Sequence, residues 1–283
     1  MSAHSATRST LASKRFWIPP GRSINSAVVT SRNKLKPALT RALLLGAFFL
    51  SLCLSSPLFA EQIIAIFDGD TIKLADQRII RIIGIDAPEL GRRGKPGQPY
   101  AQISKKRLAE LIRQSDFEVE LFFDTQHKDQ YQRELAYVQL ADGRDAGEIL
   151  LREGLAALLV IPPNVTRANQ YAEVENKARQ RRRNIWKKAD RQPVLAGKLT
   201  GKETGYHIIR GTVSAVKTTR YNYWLTLDGK LTIKLTRKDA QRYFKTINPE
   251  KLQRKKIEVR GRLYHHKKQQ RLRLRHPAYL EIM

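Results

Sequence analysis

The acidic and arginine residues between positions 68 and 133 carry the chemistry that this sequence suggests. Three carboxylates and two guanidiniums fall among strand-like segments, where a charged group is costly to bury unless it is paired. Carboxylate oxygens are the ligands that hard cations such as Ca²⁺ and Mg²⁺ prefer. Guanidiniums are planar, permanently charged forks that match a phosphodiester. The set consists of Asp70, Arg81, Asp86, Glu89 and Arg133.

This combination suits metal-assisted hydrolysis of a phosphodiester. A cation and two guanidiniums stabilise a developing pentacoordinate dianion, and a spare carboxylate orients or deprotonates the attacking water. No Ser-His-Asp arrangement competes with it, and the six histidines show no ligand spacing. Taken singly, each residue also fits a structural role. Asp70 and Asp86 suit turns, and Arg81 suits a barrel rim where it pairs with Glu89.

Short strands separated by turns are predicted to position these residues. Runs rich in β-branched and aromatic residues predict five strands, and three helical segments follow or interrupt them. Strands and helices in this order predict a mixed α+β fold, a small barrel with helices packed on it. The predicted strands are 62–67, 71–75, 78–85, 117–123 and 134–140, and the predicted helices are 100–114, 145–160 and 167–183.

A second group of five strands follows in the C-terminal third of the chain. A helix at 238–248 precedes the fourth strand of this group, which is the element order of an OB-fold. No tandem repeat is visible between the two halves. The predicted strands are 207–216, 221–227, 230–236, 256–264 and 271–282.

The chemistry-bearing residues stand in an ordered set of motifs that resembles the staphylococcal nuclease (thermonuclease) family. The resemblance covers residues 62–188, with the order and spacing of the motifs kept. It implies a five-stranded OB barrel with three helices, and Ca²⁺-dependent endonucleolytic and exonucleolytic cleavage of DNA and RNA that leaves 3′-phosphates. The motifs are Asp68-Gly69-Asp70-Thr71, the run from Arg81 to Glu89, the run from Asp129 to Tyr137, Gly154-Leu-Ala156, Pro163-Asn164 and Asn184-Ile185-Trp186.

The same resemblance implies roles for individual residues. Asp70, Asp86 and the main-chain carbonyl of Ala87 would bind Ca²⁺. Arg81 and Arg133 would bind the scissile phosphate and stabilise the transition state, and Glu89 would act as the general base or orient the water. The remaining two residues would support these groups: Asp68 behind the metal ligands and Tyr131 near the phosphate.

Three features of the sequence depart from the family pattern. Ala87 stands where the family commonly has Thr, which keeps a carbonyl ligand but removes a hydroxyl. Gln132 stands where Gly is usual, so the loop before Arg133 is expected to differ. The segment 157–164 lacks the tyrosines that often line the nucleotide pocket, which bears on base stacking and substrate preference.

The charge of the chain points to a polyanionic partner. It has 53 Lys+Arg against 26 Asp+Glu, a formal net charge of +27 and a pI near 10.4. Nucleic acid, an anionic membrane surface and an acidic polysaccharide all fit this charge. A hydrophobic content of 41% argues against a disordered chain, and a single cysteine excludes a disulfide framework.

The C-terminal third is the most basic part of the chain, and its cations alternate along the predicted strands. Several of them would therefore share one face, with aromatic rings between them as in single-strand binding surfaces. The competing interpretation is that Trp224 and half of the tyrosines are core and the cations are simply solvated. The candidate nucleic-acid-binding residues are Arg210, Arg220, Tyr223, Trp224, Arg260, Arg262, Tyr264, Arg271 and Arg273.

The N-terminal segment is predicted to be an export signal. Residues 1–60 contain no Asp or Glu, and a short apolar run at 42–54 precedes a small residue, Ala60, after which cleavage is expected. An uncleaved signal anchor and a lipid anchor at Cys53 are the alternatives. Export predicts a periplasmic or extracellular protein. The predicted organisation is a signal at 1–60, a nuclease-like domain at 61–188, a linker at 189–205 and a basic OB-fold-like domain at 206–283.

These observations predict an exported, Ca²⁺-dependent, sugar-nonspecific nuclease. Its partners would be single-stranded or duplex DNA and RNA, and the protein is expected to be a monomer without a stable protein partner. One alternative is a non-catalytic module that retains nucleic acid at the cell envelope. Another is an envelope protein whose basic face meets anionic lipid or glycan.

Overall fold

The structure is a computed structural model that describes residues 60–91, 94, 96–267 and 269–283. The predicted signal lies outside these residues except for Ala60. All described residues belong to one unit, which begins at position 57. Within the described ranges, no helix is both long and apolar enough to cross a bilayer.

Seven strands form in the first half of the described chain: β1 (Glu61–Ile66), β2 (Thr71–Leu74), β3 (Ile79–Ile82), β4 (Gly84–Asp86), β5 (Glu118–Lys128), β6 (Glu134–Leu140) and β7 (Ala157–Leu159). Five of them close a barrel in the order β1, β2, β3, β6, β5. β3 and β6 are parallel, and the other neighbours are antiparallel. β4 and β7 pair outside the barrel as an antiparallel two-stranded sheet.

A glycine divides the strand predicted at 78–85 into β3 and β4. Gly84 has φ +86°, which favours glycine, and a Cβ there would lie 2.6 Å from the ring of Tyr171. The chain therefore turns out of the barrel after Ile83. This turn places Asp86 on β4 rather than on a barrel strand.

Three helices accompany the barrel: α1 (Ala101–Arg113), α2 (Ala146–Glu153) and α3 (Ala168–Gln180). The prediction of a helix over 145–160 is wrong beyond residue 153. Asp145 caps the start of α2 by accepting a hydrogen bond from the Glu148 N–H (2.8 Å), and Gly154 ends it with φ +68°. Residues 157–159 are freed to form β7.

The core of the first barrel joins its strands to α1. Alternate residues of β2 and β3 point inward and are fully buried, as a two-residue period requires. Full burial of each such aliphatic side chain contributes about 1.5–3 kcal/mol. Ile103 is 51% exposed and lies off the buried face of α1. The buried aliphatic residues at this junction are Ile72, Leu74, Ile80, Ile82, Leu108, Leu111 and Ile112.

A second barrel occupies the C-terminal part of the chain, and it is the predicted OB-type β domain. Its elements are β8 (Val194–Leu195), β9 (Gly205–Thr218), β10 (Asn222–Leu227), β11 (Leu231–Thr236), α4 (Arg237–Tyr243), β12 (Lys256–His266), β13 (Gln269–Leu274) and β14 (Leu280–Ile282). The order is β9, β10, β11, β13, β12, and β12 returns to β9. β11 and β13 are parallel, as β3 and β6 are. The two barrels therefore share one strand order, as expected for the two OB-type barrels that the sequence predicted.

Two segments of the second half differ in detail from the prediction. The strand expected over 271–282 is two strands separated by a short turn at Pro277–Tyr279, because His276 caps that turn through Nδ1, which accepts from the Ala278 N–H. The segment 189–205 contains β8, which pairs in parallel with β9. The proposed domain boundaries remain a prediction.

An inter-barrel brace, formed by Glu175, Arg260 and Tyr279, connects the second barrel to β7. Glu175 on α3 is fully buried and accepts a hydrogen bond from the Leu158 N–H (2.6 Å). Its other carboxylate oxygen pairs with Arg260 of β12. The Tyr279 hydroxyl accepts from the Val160 N–H (2.6 Å). The side chains of Glu175 and Tyr279 therefore satisfy the outer edge of β7 and the residue that follows it, and Tyr279 comes from the second barrel.

Replacing Glu175 with Gln should destabilise the protein strongly. Arg260 is 5% exposed, so the substitution leaves a buried guanidinium without its counter-charge. Loss of one partner from a buried pair costs about 3–5 kcal/mol. Glu173→Gln, on an exposed position of the same helix, is the matched control. Equal free energies of unfolding for the two variants in urea would contradict the brace.

Stability should also fall on acidification through His276. Burial lowers the pKa of His276 to about 4, so the folded state keeps the ring neutral while the unfolded chain takes up a proton near its ordinary pKa of 6.5. The unfolding free energy should therefore drop as the pH falls from 6.5 to 4, by up to ~3 kcal/mol. His276→Asn, which keeps a capping side chain but does not titrate, should shrink the drop seen in urea titrations at pH 7 and pH 4. An unchanged drop would refute this assignment.

Candidate functional site

The turn between β1 and β2 buries two aspartates. The Phe67 N–H donates to the Thr71 carbonyl (2.9 Å), and the Asp70 N–H donates to Oδ1 of Asp68 (3.1 Å). Asp70 is 4% exposed. Its Oδ1 accepts from the Thr71 hydroxyl (3.0 Å), and its Oδ2 accepts from the Ala87 N–H (2.7 Å). The turn thus aims the Asp70 carboxylate at the chain leaving β4.

Burial raises the pKa of Asp70 to about 7. The positive charge of Arg81 acts in the opposite direction, and the nearby charge of Asp68 adds to the rise. A carboxylate held in such surroundings gains stability from a cation placed beside it.

Arg81 lies at the centre of the site. Its Nη1 donates to the carbonyls of Ile82 and Ile85, each at 2.8 Å. Its Nη2 contacts Oδ2 of Asp70 at 3.0 Å and Oδ1 of Asp86 at 3.4 Å. The guanidinium therefore pairs with these two carboxylates, and the expected structural pairing with Glu89 is not among its contacts in the described part of the chain.

Asp86, Ala87 and Glu89 leave the end of β4 together. Asp86 is exposed, and Ala87 is buried with its N–H held by Asp70. Gln98 fixes the backbone of Glu89: its Oε1 accepts from the Glu89 N–H (3.1 Å), and its own N–H donates to the Glu89 carbonyl (2.8 Å). The Glu89 side chain is exposed and makes no ion pair within the described ranges.

The three carboxylates expected to converge on one cation do not form a common cluster. Among the described residues, no group of three or more His, Cys, Asp or Glu side chains is arranged to hold a metal ion. Asp70 and Asp86 meet at the same nitrogen of Arg81, whereas Glu89 lies outside this pair. The oxygen donors present at the pair are two carboxylates and main-chain carbonyls, a set that suits a hard cation with water completing its shell.

Arg133 is held by a loop that Asp129 organises. Oδ1 of Asp129 accepts from the N–H groups of Tyr131 (2.8 Å) and Arg133 (3.0 Å), and Oδ2 accepts from Nε of Arg133 (2.7 Å). Burial alone would raise the pKa of Asp129, but these hydrogen bonds outweigh it and lower the pKa. The Nη groups of Arg133 have no hydrogen-bond partner in the described part of the structure and stay available for an anion.

The two residues before Arg133 have different roles: Gln132 shapes the loop backbone, and Tyr131 presents an exposed ring. Gln132 has φ +66°, in the left-handed region, which explains why glycine suits this position. Tyr131 is 71% exposed, and the Arg133 guanidinium lies 5.5 Å from its ring centroid. Tyr131 is thus placed beside the predicted phosphate-binding group.

A pocket of about 440 Å³ brings Arg81, Arg133 and Tyr131 together. Its walls come from the β3–β4 connection, the 126–133 segment and the loop after β7. Asp70, Asp86 and Glu89 are not among its lining residues. The pocket therefore has the two guanidiniums on its wall, with the Asp70–Asp86 pair behind Arg81.

Asn164 is a lining residue whose role the sequence did not reveal. Its Oδ1 accepts from the Gln126 N–H (2.7 Å), and its Nδ2 donates to the Gln126 carbonyl (2.8 Å). This clamp ties the loop after β7 to β5 across the pocket. In the sequence it stood out only as part of the Pro163-Asn164 motif and as an amide directly after Pro162-Pro163, a position where loop-fixing side chains are common.

The candidate nucleic-acid-binding residues of the second barrel differ in their surroundings, although Trp224, Tyr264 and Arg271 are neighbours on its outer face. Arg260 is buried in the brace, so its prediction is corrected: α3 covers the outer face of β12 at this point. Arg210 pairs with Glu258 (2.8 Å), and Tyr223 packs against the barrel core. Trp224 does lie on the outer face, next to Arg271. The residues Arg220, Arg262 and Arg273 are exposed, and Tyr264 is half-buried.

Comparison with known proteins places the first barrel in a family. A sequence model of the Staphylococcal nuclease homologue family matches residues 79–188. The chain is 35% identical to the thermonuclease of Staphylococcus hyicus over 133 residues, which cover 44% of this chain and 74% of that protein. It is 36% identical to the SPbeta prophage-derived endonuclease YokF of Bacillus subtilis (strain 168) over 125 residues, covering 43% of this chain and 42% of YokF.

A third relative is endonuclease YncB of the same Bacillus strain. It is 35% identical over 126 residues, which cover 43% of this chain and 59% of YncB. The match thus spans less than two thirds of the length of YokF and of YncB. The fold is an OB-type barrel, and its candidate site is an Asp-Arg-Asp cluster behind a pocket lined by two guanidiniums. The chain belongs to the staphylococcal nuclease family, as the sequence motifs predicted.

Replacing Gly69 with Ala should displace the aspartate turn. A Cβ at this position would lie 2.0 Å from the buried Ser104 hydroxyl of α1 and 2.7 Å from the Cβ of Ala87. Such overpacking costs about 1–3 kcal/mol. Gly197→Ala is the control, because the nearest atom to its Cβ is 4.0 Å away. Thermal unfolding should separate the two variants, and equal melting temperatures would contradict the close packing.

Proposed function

We propose that this protein is an exported, metal-dependent, sugar-nonspecific nuclease. The first barrel would hydrolyse phosphodiester bonds of DNA and RNA and leave 3′-phosphates. Membership of the family supports this activity, since the relatives carry the names thermonuclease and endonuclease. The three relatives match less than half of this chain, so the activity of the whole chain is part of the proposal.

The observation that carries the proposal is the position of Arg81. Its guanidinium lies on the wall of a pocket that also contains Arg133, and it contacts Asp70 and Asp86 on its other side. A phosphate between the two arginines would therefore lie next to two carboxylates. This juxtaposition of anion-binding and cation-binding groups is what phosphodiester hydrolysis requires.

Ca²⁺ is the cation that we propose for the carboxylate pair. Asp70 and Asp86 would be its side-chain ligands and the Ala87 carbonyl its main-chain ligand, with Asp68 supporting Asp70 through the turn. The burial of Asp70 and the exposure of Asp86 describe a half-open site with all-oxygen donors. Bound there, the cation would neutralise phosphate charge and lower the pKa of a water ligand.

The arginines and Glu89 would carry the remaining steps. Arg81 and Arg133 would hold the non-bridging oxygens and stabilise the dianion that forms as water attacks phosphorus. Glu89, exposed on a backbone that Gln98 fixes, would accept the proton of that water. The bond to the 5′ oxygen would break, and the chain end retained on the 3′ oxygen would be a phosphate. Tyr131 would contact the phosphate or its sugar from the pocket rim.

Export and a monomeric state belong to the same proposal. Cleavage after Ala60 would release a mature chain without cysteine, which suits a periplasmic or extracellular location. Millimolar calcium outside the cytoplasm would fill a weak, half-open site.

Glu89→Gln should abolish most of the turnover of the protein. Loss of a general base that takes the proton in the transition state lowers kcat by roughly 10²–10⁴-fold, whereas DNA binding should change little because both arginines remain. Initial rates on labelled single-stranded and duplex DNA, in calcium and in chelator, measure this. Glu118→Gln, exposed on β5, is the control.

Unchanged turnover in Glu89→Gln would reject Glu89 as the base. Tight, salt-sensitive binding by the wild type without cleavage in calcium would instead favour a non-catalytic nucleic-acid-binding module. The contacts of Arg81 support this alternative, because a purely structural arginine would also bind the carbonyls of Ile82 and Ile85 and the carboxylate of Asp70.

A further inference from the structure

A strongly basic groove lies on the second barrel, outside the site described above. It has a volume of about 670 Å³ and is lined by seven basic side chains and a single acidic one, Asp239. The loop between β9 and β10, the end of β11, α4 and the end of β13 contribute to it. The cations used below are Arg220, Lys234, Arg237, Arg242, Arg273 and Arg275.

The charge of the basic groove is almost uncompensated within the described residues. Its one ion pair joins Arg273 to Asp239 at 3.9 Å, the limit of such a contact. The Nε–H of Arg275 is buried and has no hydrogen-bond partner. Several like charges this close repel one another, so the groove gains stability when an extended anion enters it.

Aromatic rings stand beside the arginines of the basic groove. Arg220 lies 5.2 Å from the ring centroid of Tyr221, which is 66% exposed, and Arg242 lies 5.5 Å from that of Tyr243. Guanidiniums bind phosphates, and an exposed ring stacks on an unpaired base. Trp224 is less available for base stacking, because Lys234 (5.6 Å) and Arg271 (4.8 Å) already lie over its ring.

The basic groove adjoins the pocket of the first barrel. Pro162 and Pro163 form part of the groove wall, whereas Ile161 and Asn164 line the pocket that contains Arg81 and Arg133. The four residues are consecutive and form a tight turn, in which the Asn164 N–H donates to the Ile161 carbonyl (3.1 Å). One turn therefore separates the two cavities.

We propose that the basic groove binds the sugar-phosphate backbone of single-stranded nucleic acid, namely the part of the strand that extends beyond the Arg81–Arg133 pocket. This inference rests on the proposed nuclease function. The strand crosses the 161–164 turn, its phosphates contact the arginines of α4 and β13, and one unpaired base stacks on Tyr221. The groove holds long substrates without reading their sequence.

The test compares the full chain with the double variant Arg237→Ala/Arg242→Ala. Both positions lie on α4, where alanine favours the helix. The matched control is Lys251→Ala/Lys255→Ala, which removes two exposed cations outside the groove. Binding of a labelled oligonucleotide of about twenty nucleotides, longer than the 4–16 that one OB fold occupies, is measured by fluorescence anisotropy in chelator.

The groove variant should bind the oligonucleotide roughly tenfold more weakly than the control, and the slope of log K against log salt should fall by about 1.4, since single strands lose ~0.7 per phosphate contact. In calcium, the ratio of kcat/KM for the oligonucleotide to that for a dinucleotide should fall in the same proportion. Affinity and salt slope equal to those of the control would overturn the proposal. Lost binding to phosphatidylglycerol vesicles with oligonucleotide binding intact would overturn it too, in favour of a lipid surface.

The two proposals fail separately in this design. A wild-type chain that cleaves neither substrate in calcium fails as a nuclease. The anisotropy measurement, made without cleavage, still decides whether the basic groove holds the strand.

Discussion

The buried pair between Glu175 and Arg260 is the constraint on which the arrangement of the molecule depends. Glu175 holds the Leu158 N–H with one oxygen and the second barrel with the other. β7 pairs with β4, and Ala157 lies opposite Asp86 in that pairing. The position of Asp86, and through it one side of Arg81, is therefore fixed by a strand whose outer edge is satisfied by Glu175 and Tyr279. The second barrel supports the site as well as extending the basic surface.

The two barrels have the same strand order but carry opposite charge in the loop between their first and second strands. In the second barrel the connection between the first and second strands lines the basic groove, and in the first barrel it contacts Arg81, which lines the pocket. In the first barrel this connection carries Asp68 and Asp70, which suit a cation, and in the second it carries Arg220 beside Tyr221, which suit a phosphate and a base. The helix that precedes the fourth strand also differs: α1 buries its apolar face under the aspartate turn, whereas α4 is short and lends two arginines to the basic groove. The two barrels thus share a strand order, whereas their loops and helix surfaces carry different charged groups.

Local patterns in the sequence were enough to predict both barrels, and the motifs singled out Asp70, Arg81 and Asp86, which the structure brings into contact. Turn residues delimited β1 and β2, and the candidate site residues were identified by their chemistry and by the ordered motifs that contain them. What failed depended on distant contacts. Alternation along β12 assigned Arg260 to the solvent face, because nothing local indicates that α3 covers it. The helix that ends at Gly154 was extended through an Ala-Leu run whose strand conformation comes from pairing with β4. The basic groove was missed because its cations come from four separate segments that only the closed barrel brings together.

The brace also restricts how this chain can change through evolution. A deletion that removed the second barrel would leave Glu175 without its counter-ion in an apolar setting and would expose the edge of β7. A shortened descendant would need a neutral residue at 175 and, at the same time, a new hydrogen-bond acceptor for the Val160 N–H. Loss of the second barrel in a single step should therefore destabilise the first barrel, and sequences that retain Glu175 are expected to retain an arginine at the position of Arg260. Covariation of these two positions would mark the lineage in which the two barrels became inseparable.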